Sequence, residues 1–272
     1  MTIATTLRQI RFKLRNRMGQ RVTVADAQGR YTFYCESPIE VWRARTMLFK
    51  EAGTIDWLSS ELKPGDVFYD VGANIGQYTL FAARRVGSNG AVFAFEPHVG
   101  NAQSLLRNVA LNQLTDRVKV LSCALNDRDG FFDFNYIAWI TGSSMSQLNE
   151  RRDDKGVPFK PVFSELKCAV TADRLVESGA IPPPNLIKID VDGNELLVLK
   201  GMSRLLAGTT GLRSVQVEIN ERYKSELFAF MNDHGFEFAT RHETLAGKNK
   251  LKANVDPDWV SHNAVFRRRH SH

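Results

Sequence analysis

The feature that most constrains this chain is the string Asp66-Val-Phe-Tyr-Asp70-Val-Gly72-Ala-Asn74-Ile-Gly76-Gln-Tyr-Thr-Leu80. An apolar run of strand length ends at Asp70, a glycine-rich turn follows, and a helical stretch begins at Gln77. A strand that enters a helix through so short a turn is half of a parallel crossover unit, which commits the chain to a sheet covered by helices. The same turn suits a ligand, because a helix start leaves backbone N–H groups unpaired and positions 72 and 76 carry no side chain to hold a ligand off.

The rhythm continues from Gly65 onward. Short apolar runs predict strands at Val67–Val71, Ala91–Phe95, Val118–Leu121, Leu186–Ile189 and Ser214–Ile219, with Phe236–Thr240 and Asn263–Arg267 placed to finish the sheet. Helices are predicted at Gln77–Arg85, Asn101–Leu111 and Glu195–Leu206, so the class is α/β with helices on both faces of a mostly parallel sheet. With 272 residues, 43% of them hydrophobic and 24% charged, the chain can bury such a core, and an intrinsically disordered chain is excluded. It has no run of about 18 apolar residues of the kind a membrane span needs.

Residues 1–50 read as a basic extension of helix and hairpin, and 51–272 as the main domain. The first thirty residues hold seven Lys or Arg against the single acid Asp26, which equals the net charge of +6 for the whole chain. A protein that grips nucleic acid spreads basic groups over its folded body, so this distribution predicts no nucleic-acid partner. Ile3, Leu7, Ile10 and Leu14 recur at helical spacing among the arginines. That stripe fits docking on its own domain or a second subunit in preference to a peripheral contact with an anionic membrane. Arg21–Ala25 and Arg30–Tyr34, split by Asp26-Ala-Gln-Gly29, predict a hairpin, and helical stretches follow from Pro38 through Phe49 and from Gly53 to Leu62. The opening residues lack the apolar run of a secretory signal, which predicts a cytoplasmic protein, peripheral at the inner membrane face if the helix meets lipid. Cys35, Cys123 and Cys168 are odd in number and far apart, and are expected to be reduced core residues rather than a disulfide frame or thiolate metal site.

One segment breaks the rhythm: Phe131 to Lys167 holds Ile137-Ala-Trp-Ile140, then Thr-Gly-Ser-Ser-Met-Ser, then Glu150-Arg-Arg-Asp-Asp-Lys155. An irregular insertion of this length is either a binding loop or lid, placed near 136–167, or a disordered surface excursion.

Twenty residues past Gly76, Glu96 stands at the end of the second strand and is followed by Pro97. A carboxylate there can accept both hydroxyls of a ribose, so the ligand is a nucleoside. A dinucleotide fingerprint starting at Gly72 would want glycine at 74 and glycine or alanine at 77, where this chain has Asn74 and Gln77. Asp70 also suits the ammonium of a methionine moiety better than a phosphate, which favours S-adenosylmethionine over NAD.

At this point the sequence resembles the FkbM-type S-adenosylmethionine-dependent methyltransferases. The resemblance runs from about Glu51 to Gly201: Lys63-Pro-Gly-Asp-Val-Phe leading into Asp-Val-Gly-Ala-Asn-Ile-Gly-Gln-Tyr-Thr-Leu, then Ala94-Phe-Glu-Pro97, Asn108 with Leu111-Asn112, Ala124-Leu-Asn-Asp127, and Ile187-Lys-Ile-Asp-Val-Asp-Gly-Asn-Glu195 before Val198-Leu-Lys-Gly201. Asn263-Ala-Val-Phe266 is similar to the family's last strand. The resemblance implies a class I, Rossmann-like fold with a seven-stranded, mostly parallel sheet, and O-methylation of a hydroxyl on a sugar, polyketide or other small-molecule or glycan acceptor. Carried onto this sequence, it implies that Asp70, Gly72, Asn74 and Gly76 line the methionine and ribose part, with Glu96 on the ribose, Pro97 beside the adenine and Ser122, Cys123 and Ala124 flanking it. Gln77, Tyr78 and Thr79 fall in the first turn of the helix, and Glu51 stands in the pre-sheet segment within reach of the cofactor or a helix end. Tyr78 is either a ring facing the sulfonium or a core aromatic. Ser143 and Ser144, with Met145, fall where the family has a serine-containing loop near the acceptor. The family more often has glutamate at position 192, where this chain has Asp192.

Asp190 ends the fourth strand at the crevice where open α/β sheets bind ligands, so Asp190 or Asp192 is the candidate to orient or deprotonate the acceptor hydroxyl. Glu195 reads as a first-turn residue favoured by the helix dipole. Asp190-Val-Asp192 also matches the Asp-x-Asp of metal-dependent glycosyltransferases, with Glu218 near enough in topology to share a divalent cation. No resident metal is expected, because the first two strands already supply a complete methyl-donor site; a nucleoside-binding module without turnover is the remaining alternative. His98, after Glu96-Pro97, is either placed to touch the adenine or an exposed helix-start residue, and His234, His242 and His262 lack metal-ligand spacing.

Overall fold

The computed structural model describes residues 19–153, 156–208, 211–219, 223–244, 247 and 262–269. The basic helix predicted around Ile3–Leu14 and the tail histidines His270 and His272 lie outside the described residues.

The described chain opens with a hairpin of β1 (Gln20–Asp26) and β2 (Gly29–Cys35). Its turn is closed by Asp26, whose Oδ1 accepts from the backbone N–H groups of Gln28 and Gly29 at 2.8 and 3.1 Å. The inward positions Val22, Tyr31, Phe33 and Cys35 share one apolar core with Leu80 and Phe81 of the main sheet's first helix. Arg85 Nη2 meets Asp26 Oδ2 at 3.1 Å and fixes the hairpin from outside. Then comes α1 (Pro38–Thr46), started by a capping box in which Ser37 accepts from Glu40 N while Glu40 takes the Ser37 N–H, followed by α2 (Ala52–Glu61). Trp42 and Phe49, predicted on one helix, are both exposed: Trp42 lies on the outer face of α1, and Phe49 falls beyond the end of that helix at Thr46.

The main sheet holds β3 (Val67–Val71), β4 (Ala91–Phe95), β5 (Val118–Leu121), β10 (Leu186–Ile189), β11 (Ser214–Ile219), β12 (Phe236–Glu243) and β13 (His262–Arg268). Its order is β12-β13-β11-β10-β3-β4-β5, with β13 antiparallel to both neighbours and the other pairings parallel. The chain moves outward from β3 to β4 and β5, then returns to lay β10 on the other side of β3. That reversal opens a crevice at the carboxyl ends of β3 and β10, the place where such sheets take ligands. The crossover helices are α3 (Gln77–Arg85) after β3 and α4 (Val99–Leu111) after β4.

Two expectations are corrected by the packing. The helix predicted over Glu195–Leu206 is broken into α6 (Glu195–Lys200) and α7 (Ser203–Gly208), following α5 (Ala172–Glu177) in chain order. The break falls at Gly201, where a Cβ would stand 1.9 Å from the Asn126 carbonyl oxygen, so only glycine lets the two segments approach. The segment read as irregular is in large part a second, four-stranded sheet of order β6-β9-β7-β8: β6 (Ala124–Leu125), β7 (Gly130–Tyr136), β8 (Gln147–Leu148) and β9 (Phe163–Val170). The two long strands pair antiparallel from Gly130↔Ala169 to Tyr136↔Phe163. Phe134 and Tyr136 turn inward while Phe131 stays exposed. This alternation of aromatics is a strand signal that the surrounding polar loops obscure. Cys168 lies on this sheet's open face and is exposed, so only Cys35 is a core cysteine; Cys123 is half-buried, and all three are free thiols. Among the described residues no helix is long and apolar enough to cross a membrane. A further helix, α8 (Lys224–Asp233), covers β12.

Candidate active site

The loop after β3 is shaped by its backbone. Gly72 has φ +80° and sits where a Cβ would meet the Asp190 carbonyl oxygen at 1.8 Å, so β10 can close against the turn only because this residue is glycine. Its N–H and that of Ala73 donate to Phe95 O at 3.0 and 3.1 Å, tying the turn to β4. Asn74, left-handed at φ 50°, then presents its own N–H to Glu96 Oε2 at 2.7 Å. The other oxygen of Glu96 accepts from His98 N at 2.8 Å. Burial pushes the Glu96 carboxyl up to about 7 against these two backbone donors, which favour the charged form. A carboxylate placed between two loops in this way is rigid before any ligand arrives.

A cavity of about 330 Å³ opens at these strand ends, within the range of small-molecule sites. Of the residues predicted for the site, Glu51, Gly72, Asn74, Glu96, Pro97, Cys123, Ala124, Ser143, Ser144, Asp190 and Asp192 line it. Asp70, Gly76, Gln77, Tyr78, Thr79 and Ser122 do not, and the first five stand behind the wall. Asp70 is fully buried, with Oδ2 accepting from Thr79 Oγ1 at 2.5 Å and Oδ1 left without a partner. Burial raises its pKa, and the Lys188 ammonium and the Thr79 hydroxyl oppose the rise. Gln77 donates from Nε2 to Arg43 O at 2.6 Å, locking α1 onto the start of α3. Tyr78 is buried with its ring 5.0 Å from Lys188 Nζ, and burial together with Glu51 and Asp190 raises its phenol well above the usual value. Ser122 is exposed.

The acidic floor comes from the ends of β10 and β11. Lys188, 1% exposed, donates from Nζ to Asp190 Oδ2 at 2.9 Å. Burial would raise the Asp190 pKa, but the ammonium groups of Lys188 and Lys50 outweigh it and hold the carboxyl at about 2. Glu218, hydrogen-bonded to Asp190, is pushed well above its usual value by burial and by the charges of Asp190, Glu195, Asp192 and Glu51. One oxygen from each of Asp190, Asp192 and Glu218 lies within 4.8 Å of the others, close enough to share a cation. Two of the three already hold protein donors, Lys188 on Asp190 and the Met145 N–H on Asp192. Glu195 is buried and caps the turn before α6 by accepting from Val191 N and Gly193 N at 3.1 and 3.0 Å, the helix-start role its position predicts.

The rim opposite Glu96 is a strap over residues 141–147. Ser143 O accepts from Asn74 Nδ2 and from Asn101 Nδ2, each at 3.0 Å, and Gly142 N donates to Asn101 Oδ1 at 2.7 Å. Met145 N donates to Asp192 Oδ2 at 2.6 Å, and Gln147 Nε2 donates to Asp192 O at 2.7 Å. Arg43, Lys50, Asn101, Phe134 and Asn194 also line the cavity; Arg43 and Phe134 arrive from elements distant in sequence from the predicted site, while Lys50, Asn101 and Asn194 stand near Glu51, Glu96 and Asp192 but carry no motif of their own. His98 is a helix-start residue as expected, with Nδ1 accepting from Asn101 N, but it is buried under Tyr136, whose ring centroid lies 4.6 Å away.

The donor set fits a methionine-bearing nucleoside. A carboxylate at Glu96 is placed for a diol, Phe95, Pro97, Ala124 and Leu125 offer an apolar wall for a base, and Glu51, Asp190 and Asp192 supply negative charge for a sulfonium or an ammonium.

Comparison with known proteins agrees with this arrangement. The model of the FkbM methyltransferase domain matches residues 70–238. A hexuronic acid methyltransferase, AglP, from Haloferax volcanii is 31% identical over 174 residues, covering 64% of this chain and 65% of that protein, so the chain spans just under two thirds of that relative. The 31-O-demethyl-FK506 methyltransferase FkbM of Streptomyces tacrolimicus is 28% identical over 208 residues, 68% of this chain and 78% of its own length. A crystal structure described as an rRNA methylase from Clostridium thermocellum superposes with a TM-score of 0.50 at 14% identity, over 81% of this chain and 96% of that one, and shows the shared class I fold. With a family model that matches more than half of its length, from the end of β3 into β12, this chain belongs to the FkbM methyltransferase family.

Proposed function

We propose that the protein is an S-adenosylmethionine-dependent O-methyltransferase acting on a hydroxyl of a sugar or related small-molecule or glycan acceptor. The observation that carries this reading is the meeting, in one cavity, of the Glu96 carboxylate with the carboxylates Asp190 and Glu218 at the switch point of the sheet. The names of the hexuronic acid and FK506 methyltransferases among its relatives support the acceptor class.

S-adenosylmethionine supplies, when bound, a methyl group made electrophilic by its sulfonium. Glu96 accepts the ribose hydroxyls, with Asn74 and His98 holding it in place. Pro97, Cys123 and Ala124 form the adenine side, and Gly72 keeps the wall clear of side chains beside the methionine part. Asp190, kept ionised by Lys188, provides lasting negative charge and a fixed acceptor that orients the hydroxyl. Glu218 is the carboxylate best matched to take the hydroxyl proton, since its raised pKa makes it the stronger base of the pair. Asp192 acts through the strap it holds against the acceptor side, with Ser143 and Ser144 on that strap as acceptor contacts. Positioning in such a site supplies much of the rate, up to roughly 7–11 kcal/mol in favourable cases.

The test is calorimetric titration of purified protein with S-adenosylhomocysteine, followed by transfer of labelled methyl to a panel of hexuronates, hexoses and hydroxylated macrolides. Micromolar binding that is lost in Glu96→Ala, together with label on an oxygen of one acceptor class, is the expected result. Absence of S-adenosylhomocysteine binding overturns the reading.

A further inference from the structure

Two permanent cations line the cavity, and they differ in what they face. Lys50 Nζ lies 2.8 Å from Glu51 Oε1 and also sits in the field of Asp190. Arg43 has no carboxylate within ion-pair distance among the described residues. Its hydrogen bond runs from Nε to Gly142 O at 2.6 Å, which fixes the guanidinium by its inner nitrogen and leaves both terminal amino groups, Nη1 and Nη2, for a planar anion. The residue is anchored at its main chain as well, because Arg43 O accepts from Gln77 Nε2. A half-buried guanidinium held at two points, in the field of Glu96 but with no carboxylate bonded to it among the described residues, is a prepared anion receptor. Apart from Lys50, which is paired with Glu51, the charged side chains of the lining are the acids Glu51, Glu96, Asp190, Asp192 and Glu218, so an anion entering this cavity has Arg43 as the cation without an ion-pair partner among the described residues.

We propose that Arg43 is the carboxylate-binding residue of this cavity, taking a planar carboxylate through its Nη groups. The inference rests on the methyl-donor reading. The same chemistry is offered by two sources, the amino-acid carboxylate of the cofactor and the carboxylate of an acidic sugar acceptor, and the experiment separates them.

The experiment is calorimetry on the full chain and its Arg43→Gln variant. Glutamine places its Nε2 donor where the arginine Nε stood, so the bond to Gly142 O is retained while the charge and the fork are removed. The ligands are S-adenosylhomocysteine, 5′-methylthioadenosine, which is the same thioether nucleoside without the amino-acid end that bears the carboxylate and ammonium, and D-glucuronate or methyl glucoside at saturating S-adenosylhomocysteine. If Arg43 holds the cofactor carboxylate, the variant binds S-adenosylhomocysteine about ten- to a hundredfold more weakly and methylthioadenosine as before. If it holds an acidic acceptor, both nucleosides bind unchanged and glucuronate alone is lost. Equal weakening of both nucleosides, or no change with any ligand, overturns the assignment. Failure of the wild-type protein to bind either nucleoside is a separate result, which removes the methyl-donor reading itself and the proposal with it.

Discussion

Glu96 and Asn74 form one rim of the cavity; Ser143 and Met145 form the other; and the two rims are assembled by different means. The first rim is made by consecutive strand, turn and helix, so its residues stand close in sequence and hold one another, Asn74 N on Glu96 being the central bond. The second is a strap with little regular structure of its own, held by side chains from three other elements, Asn74, Asn101 and Asp192. On the proposed assignment, the difference teaches that the donor side is built into the sheet, whereas the acceptor side is attached to it. Substitutions at the strand ends should therefore disturb donor binding or chemistry, and substitutions at the strap anchors outside the first rim, Asn101 and Asp192, should disturb the acceptor alone.

The largest effect is expected where the floor joins the two rims. Glu218→Gln should lower kcat by about a hundred- to ten-thousandfold, the usual contribution of a general base, while S-adenosylhomocysteine binds as before. The base works only when ionised, and burial with the neighbouring carboxylates Asp190, Glu195, Asp192 and Glu51 keeps it protonated beyond the ordinary carboxylate range. The rate should therefore rise with pH through a limb well above that range. Asp190→Asn removes one of those negative charges and should move the limb to lower pH. A limb that stays in place in Asp190→Asn would remove Glu218 from the proton path.

On the donor rim, Glu96→Ala deletes a carboxylate placed for two hydroxyls and strands the N–H groups of Asn74 and His98. Affinity for S-adenosylhomocysteine should fall roughly a hundredfold or more, at about 1.5–3 kcal/mol for each charge-assisted bond lost. Equal loss of an acceptor's own binding in the same variant would show that the two rims are not separable.

Glu195 sharpens the comparison through stability. Its folded pKa is about 7 against an ordinary 4.5, so the native state holds the proton more tightly than the unfolded chain does. The contribution is fully present below the unfolded value and is lost as pH rises through about 7, by about 3 kcal/mol for such a shift. Urea unfolding at pH 5 and pH 8 should show this decline in wild type and a smaller one in Glu195→Gln, which is neutral throughout. Glu96, with a similar shift to about 7, and Glu218 and Asp70, whose pKa values burial also raises, supply the decline that remains.

The same contrast explains what was legible in the sequence. The strands Val67–Val71, Ala91–Phe95, Val118–Leu121, Leu186–Ile189 and Ser214–Ile219 fall where their apolar runs predicted, because strands of a sheet covered by helices read as largely apolar runs, interrupted here at Asp70, Lys119, Lys188, Gln216 and Glu218. Asn74 and Glu96 were found by their spacing around one crossover. Arg43 and Asn101 carry no such mark, since a helix-borne Arg or Asn reads as surface until the fold shows what it faces. His98 was read as exposed for the same reason: the ring that covers it, Tyr136, belongs to a hairpin whose alternating aromatics lie inside a segment read as loop. Gly201 shows the limit from the other side, where a glycine inside a helical pattern marked a close approach that only the Asn126 backbone explains.

The smallest of these effects decides most directly how the second rim works. Asp192 sits in the left-handed region at φ 57°, accepts from Met145 N through Oδ2, and accepts from Gln147 Nε2 through its carbonyl oxygen. Asparagine keeps an acceptor oxygen and tolerates that backbone, whereas alanine loses the side-chain acceptor and adds strain. Asp192→Ala should therefore raise the acceptor KM by about tenfold and leave S-adenosylhomocysteine affinity within about twofold, while Asp192→Asn stays close to wild type in both. A residue that removed the acceptor proton itself would lose activity as badly in asparagine as in alanine. Ranking the two variants in one kinetic experiment therefore separates a strap anchor from a base, and it also tests whether the acceptor rim can be loosened without touching the donor rim.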